Sequence, residues 1–178
     1  MSMSELHKPE WYGECAIISD KYNDYVQIKY KCNGTGTLYD YSLFPGINLI
    51  FMDFNCSDIF HEPIPNKNII EIRHYQKGRV EFELRNNKVF HMKEGELCIN
   101  ALANVPAAYS FPFGYSVGLS CVIDKDSIDV KTKQIFSYYN IDVLNLGQEL
   151  EIEKKWFLCR TPQRLLHIFD ELYAAKGV

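Results

Sequence analysis

The chain has 178 residues, of which 47% are apolar, enough for one domain with a substantial core. Its net charge is −4, and its 19 Lys and Arg residues are scattered among 23 acidic ones. A domain that grips DNA directly normally carries a basic stripe, so direct DNA binding is not expected of these residues. The N-terminus is polar and no apolar run reaches the length of a membrane span, so we expect a cytoplasmic protein.

The cysteines and the aromatic residues further limit the class of protein. The six cysteines have irregular spacings and form no C-x-x-C pair, which favours reduced thiols over structural zinc or disulfides. Cys98 and Cys121 lie in apolar runs and are interpreted as small core residues. The 12 Tyr, 11 Phe and 2 Trp favour strands, and they suit either a lined cavity or a ring-rich core.

The predicted elements in chain order are strands first and helices last. Residues 1–43 are interpreted as an N-terminal arm and leading segment with a turn cluster at 33–37. Short strands with turns between them then predict a barrel core over residues 44–124, in which Gly78 ends one strand and 85–88 form a hairpin turn. The predicted strands are 47–54, 69–75, 80–84, 89–92, 97–101, 109–113 and 117–123.

The remaining segment, 125–178, has helical character. Asp126-Ser127 is a candidate cap for a helix to about Tyr139, and 143–150 is a second, weaker helical stretch. Thr161 and Pro162 suit the N-cap and first position of a last helix, 161–175. Its apolar stripe has helical spacing, and it packs either on the barrel or on a second copy of the chain. The stripe consists of Leu165, Ile168, Phe169 and Leu172.

Motifs for catalysis are missing from the sequence. It contains no Gly-rich phosphate loop, no G-x-S-x-G and no H-E-x-x-H. His74 and His91 fall on different predicted strands, but no third metal ligand accompanies them. The acidic Glu81 and Glu83, with Glu71 and Arg73 nearby, favour cross-strand charge pairing on a solvated face over acid–base catalysis.

Three runs in fixed order resemble a known family. They are LFPGINLIFMDFNC, NIIEIRHYQKGRVEFEL and KEGELCIN, which begin at residues 43, 68 and 93. Together they resemble the N-terminal, effector-binding domain of AraC-type transcription regulators. The run RLLHIFDELY (164–173) is similar to the first interface helix of that family, so the resemblance covers residues 40–175.

This resemblance implies a mainly β (α+β) fold, a cupin-like, jelly-roll-like antiparallel β-barrel followed by C-terminal helices. The barrel would bind a small effector beneath a covering N-terminal segment, without cofactor or catalysis. The helices would form a homodimer, and DNA would be bound only through a helix-turn-helix half that this chain lacks. Metal-dependent cupins instead carry an H-x-H after the glycine corresponding to Gly78, and the sequence has none. A small cupin-type metal enzyme and a dimerisation module without ligand remain the alternatives.

The candidate ligand-binding residues come from two sources. Position within the family gives His61, Tyr109 and Phe111. Strand alternation adds His74 and Phe82, which share parity with apolar neighbours and are therefore expected to face the interior. Because a one-residue slip in register reverses the facing of every side chain, core packing or surface display is the alternative for each.

Overall fold

Eleven β-strands and two α-helices form the regular structure of the residues described by the computed structural model, 12–13, 15–22, 24–60, 65–84, 88–103 and 105–176. The strands are β1 (Ala16–Lys21), β2 (Tyr25–Tyr30), β3 (Gly34–Phe44), β4 (Ile47–Cys56), β5 (Asp58–Ile59), β6 (Asn66–Leu84), β7 (Val89–Lys93), β8 (Glu96–Leu102), β9 (Pro106–Ser110), β10 (Ser116–Asp124) and β11 (Phe157–Arg160). The helices are α1 (Val130–Tyr138) and α2 (Gln163–Ala175), and Gln148–Leu150 form a single 3-10 turn.

All strand pairings are antiparallel, and they form two sheets that share β6. The larger sheet has the order β1-β2-β3-β4-β10-β6-β8-β11. In the smaller sheet the second half of β6 pairs with β7 and β9, and β5 pairs with β9. Side chains of both sheets meet in the largest hydrophobic cluster, as expected for a barrel-like fold. The prediction of a mainly antiparallel β fold with C-terminal helices is confirmed.

The strand β6 passes through Gly78 without ending, whereas the sequence predicted two strands separated there. The register with β10 shifts between Val117 and Gly118, which marks a bulge just before Gly78. Gly78 itself has φ 86°, a left-handed conformation, and a Cβ there would lie 2.4 Å from the carbonyl oxygen of Tyr115. The bulge and the glycine let one strand leave the larger sheet and enter the smaller one.

The substitution Gly78→Ala is expected to lower the free energy of unfolding by clearly more than Gly95→Ala. Both glycines have positive φ, which costs an alanine roughly 1–2 kcal/mol. A Cβ at Gly95 meets nothing within 4 Å, whereas at Gly78 it collides with backbone. Urea denaturation of both variants measures the difference, and equal losses would contradict a close approach at Gly78.

The predicted boundaries differ from the structure at both ends of the barrel. Strands β1 to β3 belong to the same sheet as β4, so the barrel begins at Ala16 rather than at residue 44. Residues 33–37 were predicted to form a turn, but β3 already begins at Gly34. At the other end β11, which lies in the predicted helical segment, pairs with β8.

The helices are shorter than predicted. Helix α1 is capped by Asp129, whose carboxylate accepts from Thr132 N at 2.7 Å, and not by Asp126-Ser127. Helix α2 starts at Gln163 after Pro162, and Thr161 makes no capping hydrogen bond. The stretch 143–150 contains only the 3-10 turn. No helix in the described part of the chain has the length and apolarity needed to cross a membrane.

Candidate functional site

A cavity of about 50 Å³ lies inside the barrel, between the two sheets. Its wall is mainly aromatic and aliphatic, with a few polar groups from β6 and β10, the composition typical of a small-molecule site. The lining residues are Tyr12, Tyr30, Leu38, Ile50, Met52, Phe54, Ile59, Glu71, Arg73, Tyr75, Leu102, Tyr109, Phe111, Ser120 and Val122.

A buried ion pair supplies the polar side of this cavity. The Nη2 atom of Arg73 lies 2.7 Å from both carboxylate oxygens of Glu71, and its Nε lies 3.1 Å from Oε1. The hydroxyl of Ser120 donates to the same Oε1 at 2.7 Å. Arg73 and Glu71 share one strand face, and Ser120 is the register partner of Arg73 on β10. Alternation and pairing thus bring all three into the interior.

The guanidinium of Arg73 has donor capacity beyond its bonds to Glu71. Its Nη1 is buried and has no partner within hydrogen-bonding geometry among the residues described, and the Tyr109 hydroxyl interacts with the same guanidinium. Burial acts against the charge of the guanidinium, but Glu71 outweighs it and holds the pKa of Arg73 well above its usual value. The side chain is therefore a permanently charged donor inside an apolar chamber, and an unmet donor there is costly.

A second polar cluster closes the cavity beside β3. Tyr12 is buried and donates a hydrogen bond of 2.5 Å to Asp40, and Nδ2 of Asn48 donates to the other carboxylate oxygen at 2.6 Å. Burial and the adjacent Asp40 raise the pKa of Tyr12, so its hydroxyl stays protonated as a donor. Tyr12 precedes the first strand, so a residue outside the barrel strands covers the chamber.

Three of the predicted ligand-binding residues lie at or next to the cavity. Tyr109 and Phe111 line it, and Phe111 stacks on Phe54 with ring centroids 4.9 Å apart. Phe82 is fully buried just behind the lining, with its ring centroid 4.9 Å from the Arg73 guanidinium carbon. Phe82 therefore packs against the guanidinium of Arg73 and does not itself line the chamber. The structure brings these three side chains together at the cavity, and their contact with a ligand stays a prediction.

The other two predicted residues are not seen in the cavity. His61 lies outside the described residues. His74 lies on the outer face of the larger sheet, so its predicted inward orientation is wrong. Its ring stacks on Phe169 of α2, with centroids 4.2 Å apart and an interplanar angle of 8°. Helices cover the outer face of the first half of β6, so this part of the strand has apolar surroundings on both faces. The alternation of its residues therefore does not show which side chains face the interior.

The hydrogen bonds around His74 indicate that its neutral ring carries the proton on Nδ1. The Tyr173 hydroxyl donates to the His74 carbonyl oxygen at 3.0 Å, so it accepts from Nδ1, which lies 3.1 Å away. Nε2 is then left unprotonated and buried, with no partner among the residues described. Burial lowers the pKa of His74, although Asp170 on α2 opposes the shift. The contact between β6 and α2 thus favours the neutral ring.

We expect the wild-type chain to lose stability relative to His74→Gln as the pH falls below about 6.5, the ordinary pKa of histidine. The unfolded chain takes up a proton there while the folded chain resists it, so stability is full above this pH and declines below it. One proton gives a slope of at most about 1.4 kcal/mol per pH unit. Urea denaturation of both proteins between pH 8 and pH 5 measures it, and parallel curves would contradict a buried neutral His74.

The interior position of the ion pair Glu71–Arg73 was not predicted from the sequence. The two residues were predicted to pair charges on a solvated face, but both side chains are less than a tenth exposed. Further along the same strand, Glu81 is part-exposed and pairs with Arg79 of β6 at 2.8 Å, and not with a residue across the sheet. Among the described residues, no three His, Cys, Asp or Glu side chains cluster in a way that holds a metal.

The predicted dimer helix uses part of its apolar stripe on its own barrel. Phe169 and Leu172, together with Tyr173, pack against the cluster of Leu49, Phe51 and Leu119 on the outer face. Leu165 is half-buried, and Ile168 is 44% exposed. Only Ile168 of the four predicted interface residues is thus left largely open.

Comparisons with known proteins give structural likeness only. No family model matches the sequence, and no curated protein matches it. Similar solved structures include an HTH_3 family transcriptional regulator from Vibrio cholerae, with 16% identity, a TM-score of 0.38, and coverage of 48% of this chain and 50% of that one. The AraC-like transcriptional activator CuxR has 11% identity, a TM-score of 0.37, and coverage of 53% and 34%.

A cupin 2 conserved barrel domain protein from Salinispora arenicola has 12% identity, a TM-score of 0.39, and coverage of 57% of this chain and 84% of that one. The matched part of this chain spans half of the Vibrio cholerae regulator and about a third of CuxR. Because these similarities are low, the description of the fold rests on the strand order and strand pairing of this chain.

Proposed function

We propose that this chain is a ligand-sensing domain of a transcription regulator that binds a small molecule in the barrel cavity and catalyses no reaction. The observation that carries the proposal is Arg73, a buried cation that lines the cavity and whose Nη1 has no hydrogen-bond partner in the described part of the chain. Evolution rarely leaves such a donor buried without a partner, because an unmet polar group costs about 1–3 kcal/mol. A ligand oxygen that accepts from Nη1 removes that cost.

The charges around the cavity favour a neutral ligand. The charge of Arg73 is already balanced by Glu71 at 2.7 Å, and Asp40 adds a further carboxylate nearby. An anion would be repelled by these carboxylates in a medium of low dielectric, and a cation would meet the guanidinium. A carbonyl or hydroxyl compound can accept from Nη1 without adding a charge.

The size of the cavity limits the ligand to a few non-hydrogen atoms while Tyr12 is in place. One water molecule needs roughly 10–15 Å³, so a cavity of about 50 Å³ admits about three to five. A larger effector enters only when the Tyr12–Asp40 hydrogen bond breaks and Tyr12 moves away from the cavity. This movement is the change by which ligand binding would be transmitted.

The first experiment compares three molecules of similar size and different charge: acetamide, acetate and ethylammonium. Four non-hydrogen atoms contribute at most roughly 6 kcal/mol, so Kd is no tighter than tens of micromolar and the screen must reach millimolar concentrations. A concentration of ten times Kd gives about 1.4 kcal/mol, or a rise in Tm of roughly 3–5 °C.

We expect acetamide, or another small neutral carbonyl or hydroxyl compound, to raise Tm in a saturable manner, and the two ions to have no such effect. A saturable rise with acetate alone would contradict the proposed charge preference. If no small molecule stabilises the chain at millimolar concentration, the sensing function itself fails.

The proposed partners follow from the same assignment. DNA would be bound by a separate helix-turn-helix domain, because the 23 acidic residues here outnumber the 19 basic ones. A homodimer would form through the exposed side of α2, around Ile168, while Phe169 and Leu172 stay on the barrel. Analytical ultracentrifugation of the chain and of Ile168→Glu tests this contact, and an unchanged sedimentation coefficient would contradict it.

A further inference from the structure

Two thiols lie side by side at the end of the barrel where β2 and β4 finish. Cys56 is the last residue of β4 and is buried, and Cys32 follows β2 and is half-buried. The two side chains are near enough for Cys32 to contribute to the raised pKa of Cys56, and both pack on the main hydrophobic cluster. All six cysteines are free thiols.

The backbone conformation at Gly34 keeps Cys32 and Cys56 close to each other. Gly34 is the register partner of Cys56, and its N–H bonds to the Cys32 carbonyl oxygen at 3.0 Å, which folds Cys32 back toward β4. A Cβ at Gly34 would lie 2.1 Å from the Asn55 oxygen and 3.1 Å from the Cys56 Cβ. Only glycine allows the turn to approach β4 so closely, and this approach brings the two sulfurs together.

We infer that Cys32 and Cys56 form a reversible disulfide when the chain meets hydrogen peroxide. The Cys32 sulfur attacks the peroxide, an S–O bond forms, the O–O bond breaks, and one water leaves. The Cys56 sulfur then attacks the Cys32 sulfenic acid, the S–S bond forms, the S–O bond breaks, and a second water leaves. Two thiols lose two electrons, and the peroxide is reduced to two waters.

The order of the two steps follows from the surroundings of each thiol. Cys32 is the one that solvent reaches, since Cys56 is only 4% exposed. Burial and the neighbouring Cys32 thiol also raise the pKa of Cys56 to about 12, which keeps it from reacting first with peroxide. Cys56 is therefore the resolving thiol, held in place by β4.

The product would fasten the β2–β3 turn to the end of β4, next to the cavity wall. Phe54, two residues before Cys56, lines the cavity, and its ring centroid lies 6.0 Å from that of Tyr30. The inference does not depend on the proposed sensing function, because it concerns only the thiols and their backbone.

Mass spectrometry of a tryptic digest can detect this disulfide in a single peptide, because no Lys or Arg lies between Cys32 and Lys67. Trypsin therefore releases residues 32–67 as one peptide that contains both thiols. After hydrogen peroxide treatment of the full chain and alkylation, this peptide is expected to be lighter by two hydrogens than its unalkylated reduced form and to carry no alkyl group. Dithiothreitol should restore two alkylatable thiols.

Two variants and a melting curve complete the test. Cys32→Ser should abolish the cross-link and leave Cys56 as a thiol, whereas Cys159→Ser, on β11, should leave the cross-link intact. The oxidised wild type should melt roughly 5–10 °C above the reduced form. A cross-link between peptide 32–67 and the peptide of Cys15, or a stable sulfinic acid at Cys32 with Cys56 alkylated, would overturn the inference.

Discussion

Replacing Arg73 with methionine is expected to lower the free energy of unfolding by about 3–5 kcal/mol. The substitution removes the partner of Glu71, whose side chain is 8% exposed and would be left as an uncompensated charge inside the barrel. Among the residues that the structure describes, Ser120 would remain as a donor to its carboxylate. Urea denaturation at pH 7 measures the loss, and the same variant should no longer respond to a ligand of the wild type.

A triple variant, Glu71→Leu/Arg73→Met/Ser120→Ala, is the matched control. It replaces the whole polar network with apolar groups, so no buried charge or hydroxyl of these three residues is left without a partner. Networks of this kind are often replaced at no cost or with a gain in stability. We expect the triple variant to recover most of the free energy that Arg73→Met loses while remaining unable to bind ligand.

The two variants together separate folding from binding. If Arg73→Met were as stable as the wild type, the ion pair would not be buried as the structure shows. If the triple variant still gave a saturable rise in Tm with the wild-type ligand, Arg73 would not be the group that contacts the ligand.

The second large effect is expected for Phe82→Ala, which should cost about 3–5 kcal/mol. Phe82 is fully buried and contacts three aromatic rings, those of Tyr109, Trp156 and Phe90, with centroids 5.2–6.1 Å apart. Its removal leaves a cavity beneath Arg73. The loss of free energy is measured by urea denaturation, with the slope m checked for two-state behaviour.

Phe90→Ala is the control for this prediction. Phe90 belongs to the same aromatic group and contacts Trp156 at 4.8 Å, but it is only half-buried on β7. Because less apolar area is lost, its substitution should cost clearly less than Phe82→Ala. Equal losses from the two variants would show that Phe82 is not the buried support of the site.

The mainly-β class was predicted from the sequence because most strands alternate or are strongly apolar. In β6 the same alternation assigned some side chains to the correct face and others to the wrong one. The segment Val80–Leu84 has one solvated face, so its alternation assigned Phe82 correctly to the interior. Further back in β6, helices cover the outer face, and Ile70, Ile72 and His74 lie there in apolar surroundings. The interior positions Glu71 and Arg73 were therefore assigned to solvent.

Other parts of the fold depend on contacts between distant residues. Strands β1 to β3 were not predicted, and they form by successive pairing: β3 pairs with β4, β2 with β3, and β1 with β2. The start of β3 is a glycine-containing, turn-like cluster, which hid this strand in the sequence. Tyr12 could not be found from local pattern, since its role comes from Asp40, 28 residues away. The sequence signal that could have pointed to this contact is Asp40, a single acidic residue between Tyr39 and Tyr41.

Electron density inside the barrel of the crystallised chain, soaked with the neutral compound that raises Tm most, tests the central claim most directly. We predict a molecule within hydrogen-bond distance of Arg73 Nη1 and in contact with Tyr109 and Phe111. A cavity that contains only water under these conditions, with the compound bound elsewhere, would contradict the assignment of this chamber as the ligand site.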